Sequence, residues 1–373
     1  MIFTFLNDIF IDVTYLKRNE LRFGITMPFH PWKEILKCAK MSEKYNFDSI
    51  WMADHIVGMG LKRLDALEAY STLASLAMVT KKVRLGTSVT NIQTRHPAIL
   101  AQTISTLDHI SNGRVITAIG SGEAMSIVPF GIPWDKPVSR MDEAIRLMMK
   151  LWTEKKVDFD GEFFKLKGAF IDPKPIQKPY PPVWIAANSP RTMNITAKLA
   201  DGWLLLVRKN YKNDLKNILK VRKQVRNNSA LERGILLYSV VAENDDAARR
   251  ILELPAKVFS LFDANGSDKS GLKISHNFSF QKFSYSQKMI TQIIEYAQEH
   301  VSFEMIEQRY IWGSPESCIE KLEKWIKSGV NYFVIVVFVS EKYREAQYKF
   351  WGNHILPYMR EQYTLSTPKL LII

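Results

Sequence analysis

The chain has 373 residues, 46% hydrophobic, 12% aromatic and 24% charged, a balance that excludes disordered, collagen-like and disulfide-scaffold classes. Its 51 basic and 38 acidic residues give a formal charge of +13, and charges interrupt every apolar run before it reaches the ~18 residues that span a bilayer. A cytoplasmic protein with no membrane partner is expected, in which Cys38 and Cys318, lacking a paired spacing, are packing residues.

Residues 1–20 imitate a secretion signal, but they lack its basic leading segment and cleavage site and carry Asp8 and Asp12. They are read as an N-terminal extension, with one domain over 21–373. From Leu21 onward, short β-rich runs alternate with segments of helical period, the signature of a parallel sheet. The first strand is Leu21–Met27, followed by a helix opened by Pro31. Asp48–Asp54 is the second, with a helix near Ala66–Val79. Val83–Thr90 is the third, and its helix runs from Pro97 to the Asn112-Gly113 turn. Arg114–Gly120 is the fourth, followed by an amphipathic helix with Met141, Ala144, Ile145, Met148 and Trp152 on one face. A hairpin, VDFDGEFFKLKGAF, precedes the fifth strand, Val183–Asn188, whose helix covers about Pro190–Ala200. Asp201–Val207 and Ile235–Ala242 are the sixth and seventh strands, separated by a basic helix between Asn213 and Asn227. A helical insertion at about 243–308, with the polar run DANGSDKSGLKISHN, is too long for an ordinary loop. A helix capped by Ser314, the strand Tyr332–Phe338 and a last helix near Tyr358 complete eight strand-then-helix units.

Nearly continuous apolar strands fit an α/β fold of the (β/α)8 TIM-barrel type with insertions better than an open sheet. The competing nucleotide-binding fold needs a third glycine after Gly120 and Gly122, where Met125 stands, and no phosphate loop occurs.

Barrel sites form at the C-terminal ends of the strands, so the polar residues there carry the functional reading. Asp54-His55 follows the second strand; it is either an acid/base pair or a capping Asp beside an exposed His. Gly120-Ser121-Gly122-Glu123 follows the fourth, where small residues would admit a flat ligand beside a carboxyl group, or form a plain turn with a solvated Glu. Thr87 to Asn91 adds hydroxyls and an amide. Ala186-Ala187-Asn188-Ser189-Pro190 combines small residues with a helix start that can receive an anion or simply be capped. No metal-ligand set and no Gly-x-Ser-x-Gly nucleophile motif occur.

The segments SIWMADH, VRLGTSVTN, RHPAILAQTISTLDHISNGRVITAIGSGE, VDFDGEFFKLKGA and WIAANSPRTMNITAKLADGW resemble the luciferase-like (bacterial luciferase) superfamily, in its branch dependent on coenzyme F420, a deazaflavin. Within that branch the chain is similar to deazaflavin-dependent glucose-6-phosphate dehydrogenases, phthiodiolone ketoreductases and methylenetetrahydromethanopterin reductases. PFGIPWDKPVSRMDEAI resembles the last two groups more than the first.

The resemblance implies hydride transfer between C5 of F420 and a small-molecule carbon, either a carbonyl/alcohol or a pterin-bound one-carbon unit. His55 is then the acid/base residue and Glu123 the carboxyl partner. Asp54, Ser88, Val89, Asn91, Gly122, Ala186, Ala187 and Asn188 fall at cofactor positions, with a non-proline cis peptide at Ser88-Val89. The sugar-phosphate dehydrogenases carry a Trp where this chain has Met59, and their phosphate-binding lysines have no clear match, although Arg309 fits their phosphate-contacting arginine. Met59 and Arg309 are therefore the candidate substrate contacts. A homodimer is also implied.

The superfamily contains FMN-dependent monooxygenases, which makes FMN the alternative cofactor. Arg208 to Arg226 holds eight basic residues against Asp214 alone, which raises a noncatalytic nucleic-acid binder. Leu215, Ile218, Leu219 and Val225 interleave these charges at helical spacing, so the segment is read as a solvated helix face and no nucleic-acid partner is expected.

Overall fold

A strand covered on both faces needs apolar residues at successive positions, and eight segments of the chain meet that demand. The computed structural model describes residues 21–58, 65–206, 210–226, 229–263 and 287–364. Its strands are β1 (Arg22–Thr26), β2 (Ser49–Met52), β3 (Arg84–Thr87), β4 (Thr90–Asn91), β5 (Val115–Gly120), β6 (Val157–Asp160) and β7 (Lys165–Ala169). They continue as β8 (Val183–Ala186), β9 (Gly202–Leu206), β10 (Glu232–Val241), β11 (Tyr310–Gly313) and β12 (Tyr332–Val337).

The order β1-β2-β3-β5-β8-β9-β10-β12 is parallel throughout and returns to β1 through the pair Phe23 and Phe333. The result is a closed (β/α)8 barrel, as the alternating pattern predicts. The antiparallel β6-β7 hairpin is the predicted excursion. Outer helices dock by one face: Pro137–Thr153 buries Met141, Ala144, Ile145, Met148 and Trp152. Pro190–Leu199 is opened by a capping box in which Ser189 and Thr192 satisfy each other's backbone N–H groups.

Two tryptophans fill the barrel interior. Trp51 and Trp184 lie 5.6 Å apart, Tyr332 meets Trp184 edge-on at 4.8 Å, and all three are fully buried. Ser49 Oγ accepts hydrogen bonds from Trp51 Nε1 (2.6 Å) and from the Tyr332 hydroxyl (2.8 Å). Room for the indoles comes from glycines on other strands. A Cβ on Gly24 or Gly86 would stand 2.3 or 2.7 Å from Trp51, and one on Gly202 or Gly234 would stand 2.4 or 2.6 Å from Trp184. Gly202→Val is accordingly expected to cost about 3 kcal/mol through overpacking, read as a lower urea midpoint at an unchanged slope.

The long segment between β10 and β11 carries the helices Asp245–Asp263 and Gln287–His300 and builds a second small core from Ala248, Leu252, Ala256, Ile293, Ala297 and Phe303. Residues 264–286, which hold nearly all of the predicted polar run, lie outside the described residues, as do 1–20. β11 was not expected. It pairs with the upper half of β10, Tyr238 opposite Tyr310 through Val241 opposite Gly313, beyond the point where β9 stops at Leu206 opposite Leu236.

The basic helix, observed as Tyr211–Arg226, differs from the expected solvated face in two respects: Val225 of its apolar set is exposed, and one basic residue is buried. Leu215 and Ile218 are buried as its spacing predicts, but so is Arg222, only 1% exposed. Its guanidinium donates to the carbonyls of Ala200, Ser229 and Ala230, each at 2.7 Å, and Arg226 donates to Leu199 and Ala200. These two charges close the ends of neighbouring segments. Cys38 and Cys318 are buried free thiols, each pushed up to about 12 chiefly by burial.

Candidate active site

The third strand, expected to run unbroken to Thr90, stops at Thr87 and resumes as β4 after a cis Ser88-Val89 peptide. Gly86 faces Ile116 on β5 and Thr90 faces Ile119, so four steps on one strand match three on the other. The extra residue is a bulge that turns Val89 over the barrel mouth. Val89 packs on the cluster formed by Trp51 and Trp184 and fills the space above Gly120, where an added Cβ would meet its Cγ2 at 2.7 Å.

The carboxylate of Asp54, just past β2, holds this bulge in place. It accepts the Asn91 N–H at 3.0 Å and a two-point bridge from Arg95, at 2.6 and 2.9 Å, with its side chain only 6% exposed. Arg95 also reaches Glu68 at 2.6 Å and covers the ring of Tyr70 at 5.1 Å. Burial opposes the charge on Arg95, but the Asp54 and Glu68 carboxylates outweigh it and hold the guanidinium above its ordinary range. Burial, reinforced by the Asp54 charge, pushes the Tyr70 phenol up. Tyr70 and Thr87 both meet the Thr90 hydroxyl, at 2.7 and 2.6 Å, and Thr87 donates to the Ala118 carbonyl. Asn91 is buried, and its Oδ1 accepts the Gln93 N–H. Gly122, at φ +85°, makes room for that amide: an added Cβ would lie 2.4 Å from Asn91 Oδ1. Both glycines of the fourth-strand motif thus serve close internal packing.

His55 and Glu123, at the ends of β2 and β5, come to one place. Ser126 is 3.3 Å from His55 Nδ1 and 3.4 Å from Glu123 Oε2 through its single hydroxyl. Phe29, after β1, meets the His55 ring edge-on at 5.9 Å. Glu123 is exposed and His55 is half-buried. On the fifth-strand side, Ala186 is partly exposed and Ala187 is buried with its carbonyl taken by Trp203 Nε1 at 3.0 Å. Asn188 is exposed beside the helix start. Arg309 directly precedes β11, which pairs with β10 beyond the end of β9. Met59 lies outside the described residues.

On the outer surface, the helices Pro137–Thr153 and Pro190–Leu199 border an open groove of about 410 Å³ lined by Arg146, Arg191, Lys198 and Asp142. Arg146 pairs with Asp142, and Arg191 donates to the Ser139 hydroxyl at 2.6 Å. Among the described residues, no cluster of His, Cys, Asp or Glu is arranged to hold a metal ion, and no helix is long and apolar enough to cross a membrane.

The profile of the luciferase-like monooxygenase family matches residues 15–332, most of the chain. The chain belongs to that family. As a family member it is 29% identical over 323 residues to a 5,10-methylenetetrahydromethanopterin reductase of Archaeoglobus fulgidus, covering 84% of this chain and 92% of the relative. It is 27% identical over 323 residues to a phthiodiolone/phenolphthiodiolone dimycocerosates ketoreductase of Mycobacterium tuberculosis, covering 78% and 83%. Among solved structures, an F420-dependent secondary alcohol dehydrogenase superposes with a TM-score of 0.75 at 23% identity, over 91% of this chain and 99% of that one. The fold of this luciferase-like protein is therefore that of the dehydrogenase.

Ser126, Arg95, Gln93 and Tyr70 are the members of the mouth that sequence reasoning missed. Arg95 carried a signal: it stands directly before the helix that starts at His96-Pro97, within reach of the third-strand end. Ser126 carried only its i+3 spacing from Glu123.

Proposed function

We propose that this luciferase-like protein is a coenzyme F420-dependent oxidoreductase acting on a carbonyl/alcohol or a pterin-bound one-carbon unit. The observation that carries the reading is the meeting of His55 and Glu123 above the Val89 floor. The relatives support it, since both named above are reductases and the neighbouring fold is named for F420.

The residues suit a deazaflavin. A bulge side chain, a glycine beneath it and the small Ala186 leave a flat apolar floor for a tricyclic ring. Arg191, in the first turn of the helix that follows β8, is the cation nearest the strand ends, where a polyanionic tail would be attracted. When bound, the deazaflavin supplies hydride exchange at C5. The protein supplies placement and proton handling: His55 takes or gives the substrate proton and Glu123 balances the charge. Val89 and Ala186 would lie against the ring, with Asn188 at its tail. Asp54, Ser88, Asn91, Gly122 and Ala187 would serve the cofactor by shaping the backbone around it, and Arg309 would meet substrate at the rim. We further propose, on the family likeness, a cytoplasmic homodimer without a nucleic-acid partner.

Titration with F420 and with FMN, followed by a substrate screen that records deazaflavin absorbance, tests the reading. Saturable F420 binding and substrate-dependent loss or gain of the deazaflavin band are expected. Binding of FMN alone, with oxygen-dependent turnover, would overturn it in favour of a monooxygenase.

A further inference from the structure

Among the described residues, Ser126 has its hydroxyl within reach of both titratable groups at the mouth, and it belongs to no motif visible in the sequence. It lies in the short helix Ala124–Ile127, only 4% exposed. Its backbone N–H donates to the Glu123 carbonyl at 3.0 Å, so the turn that follows β5 places its Oγ between His55 Nδ1 and Glu123 Oε2.

The donor inventory fixes the order of this chain. A hydroxyl has one hydrogen to give and lone pairs to receive with, whereas an ionised carboxylate can only accept. Ser126 Oγ donates to Glu123 Oε2 at 3.4 Å, which uses its one hydrogen. The Ser126 oxygen then has to accept, and only an Nδ1–H on His55 can donate to it. That leaves His55 Nε2 as the nitrogen with a free lone pair. The opposite order, with Ser126 donating to Nδ1, would set its oxygen lone pairs against the carboxylate oxygen.

We propose that Ser126 is a positioning residue that holds His55 in its Nδ1–H tautomer and couples the imidazole to Glu123. This deepens the oxidoreductase reading and, for its catalytic consequence, rests on it. In oxidation of a substrate alcohol, a bound deazaflavin would take up the hydride released as the C–H bond breaks. The hydroxyl proton passes to His55 Nε2 and the C=O bond forms. The imidazolium so produced still donates through Nδ1 to Ser126, and the Glu123 carboxylate faces the new charge across one hydroxyl. Carbonyl reduction runs through the same groups in reverse. Separations of 3.3 and 3.4 Å leave room for both hydrogen bonds to shorten in the liganded site, as catalytic hydrogen bonds commonly do.

The test is imidazole nitrogen NMR on the full chain labelled at its seven histidines, with the His55 signals assigned by their loss in His55→Gln. The wild-type protein is expected to show His55 protonated on Nδ1 and bare on Nε2. Ser126→Ala should give a mixture of tautomers, and Ser126→Thr, which keeps a hydroxyl, should restore the single form. In turnover with F420, Ser126→Ala should lower kcat about tenfold while KM and F420 affinity stay within about twofold, and Ser126→Thr should recover most of the loss. A wild-type His55 protonated on Nε2, or an unchanged tautomer in Ser126→Ala, would overturn the proposal. The spectroscopic arm needs no cofactor, so it decides the role of Ser126 even if no F420-linked turnover is found; that second result would fall on the oxidoreductase reading alone.

Discussion

Replacing His55 by alanine is expected to lower turnover by about 10²- to 10⁴-fold, the range over which a positioned acid/base group contributes. The affinity for F420 should change little, because the imidazole lies at the rim beside Phe29 and Ser126, and the Val89 floor forms without it. Turnover by absorbance and F420 binding by fluorescence titration separate the two effects. A rate near that of the wild type would remove His55 from the chemistry. Glu123→Gln keeps an oxygen that Ser126 can donate to but discards the charge, so a smaller loss than that of His55→Ala is expected.

Asp54→Ala should act on stability as well as on the site. The aspartate side chain is nearly fully covered, and its removal leaves Arg95 with Glu68 as its remaining carboxylate partner and the Asn91 N–H without its acceptor. Breaking a buried pair from one side typically costs about 3–5 kcal/mol, and the surviving bridge to Glu68 argues for the lower end. Urea unfolding reads this cost. F420 affinity should fall together with it, because the same carboxylate ties the end of β2 to β4 and so fixes the Ser88-Val89 bulge. An unchanged urea midpoint would show that the pair contributes nothing to the mouth. The contrast with His55→Ala is informative: one variant should lose rate and keep affinity, the other should lose affinity along with stability.

Much of the barrel was legible because strands covered on both faces must be apolar at every position, and eight runs stood out for that reason. Their ends differ from the observed ones by a few residues. The third strand shows where local pattern fails: VRLGTSVT reads as one apolar-to-polar run, whereas the break at Ser88-Val89 became visible only through family likeness. β11 is four residues long, directly after the insertion, and owes its strand form to the partner it meets, Tyr238 to Val241. The fit of glycines to indoles was equally hidden. Gly24 and Gly86 face Trp51, and Gly202 and Gly234 face Trp184, and nothing in a single strand announces what the opposite wall will present.

At the site, Asp54-His55 and Glu123 stood out because titratable groups directly follow apolar runs. The different surroundings of Asp54 and His55 were not legible. Adjacent in sequence, they turn to different neighbours: the carboxylate to Arg95 beneath the bulge, the imidazole to Ser126 across the mouth. Arg222 was hidden for the same reason, since a basic residue among basic residues gives no sign that backbone carbonyls await it.

The overshoot of β10 past β9 has a consequence for anyone paring this protein down. A closed barrel has no free margin, but here the upper part of β10 stands clear of β9 and is covered on that side by β11. Excising the segment between β10 and β12 to leave a minimal barrel would uncover the β11 side of Tyr238 to Val241, though β12 and Gln347 still hold the other side, and would offer a hydrophobic template to other chains. A version trimmed in this way is expected to precipitate rather than behave as a simpler enzyme.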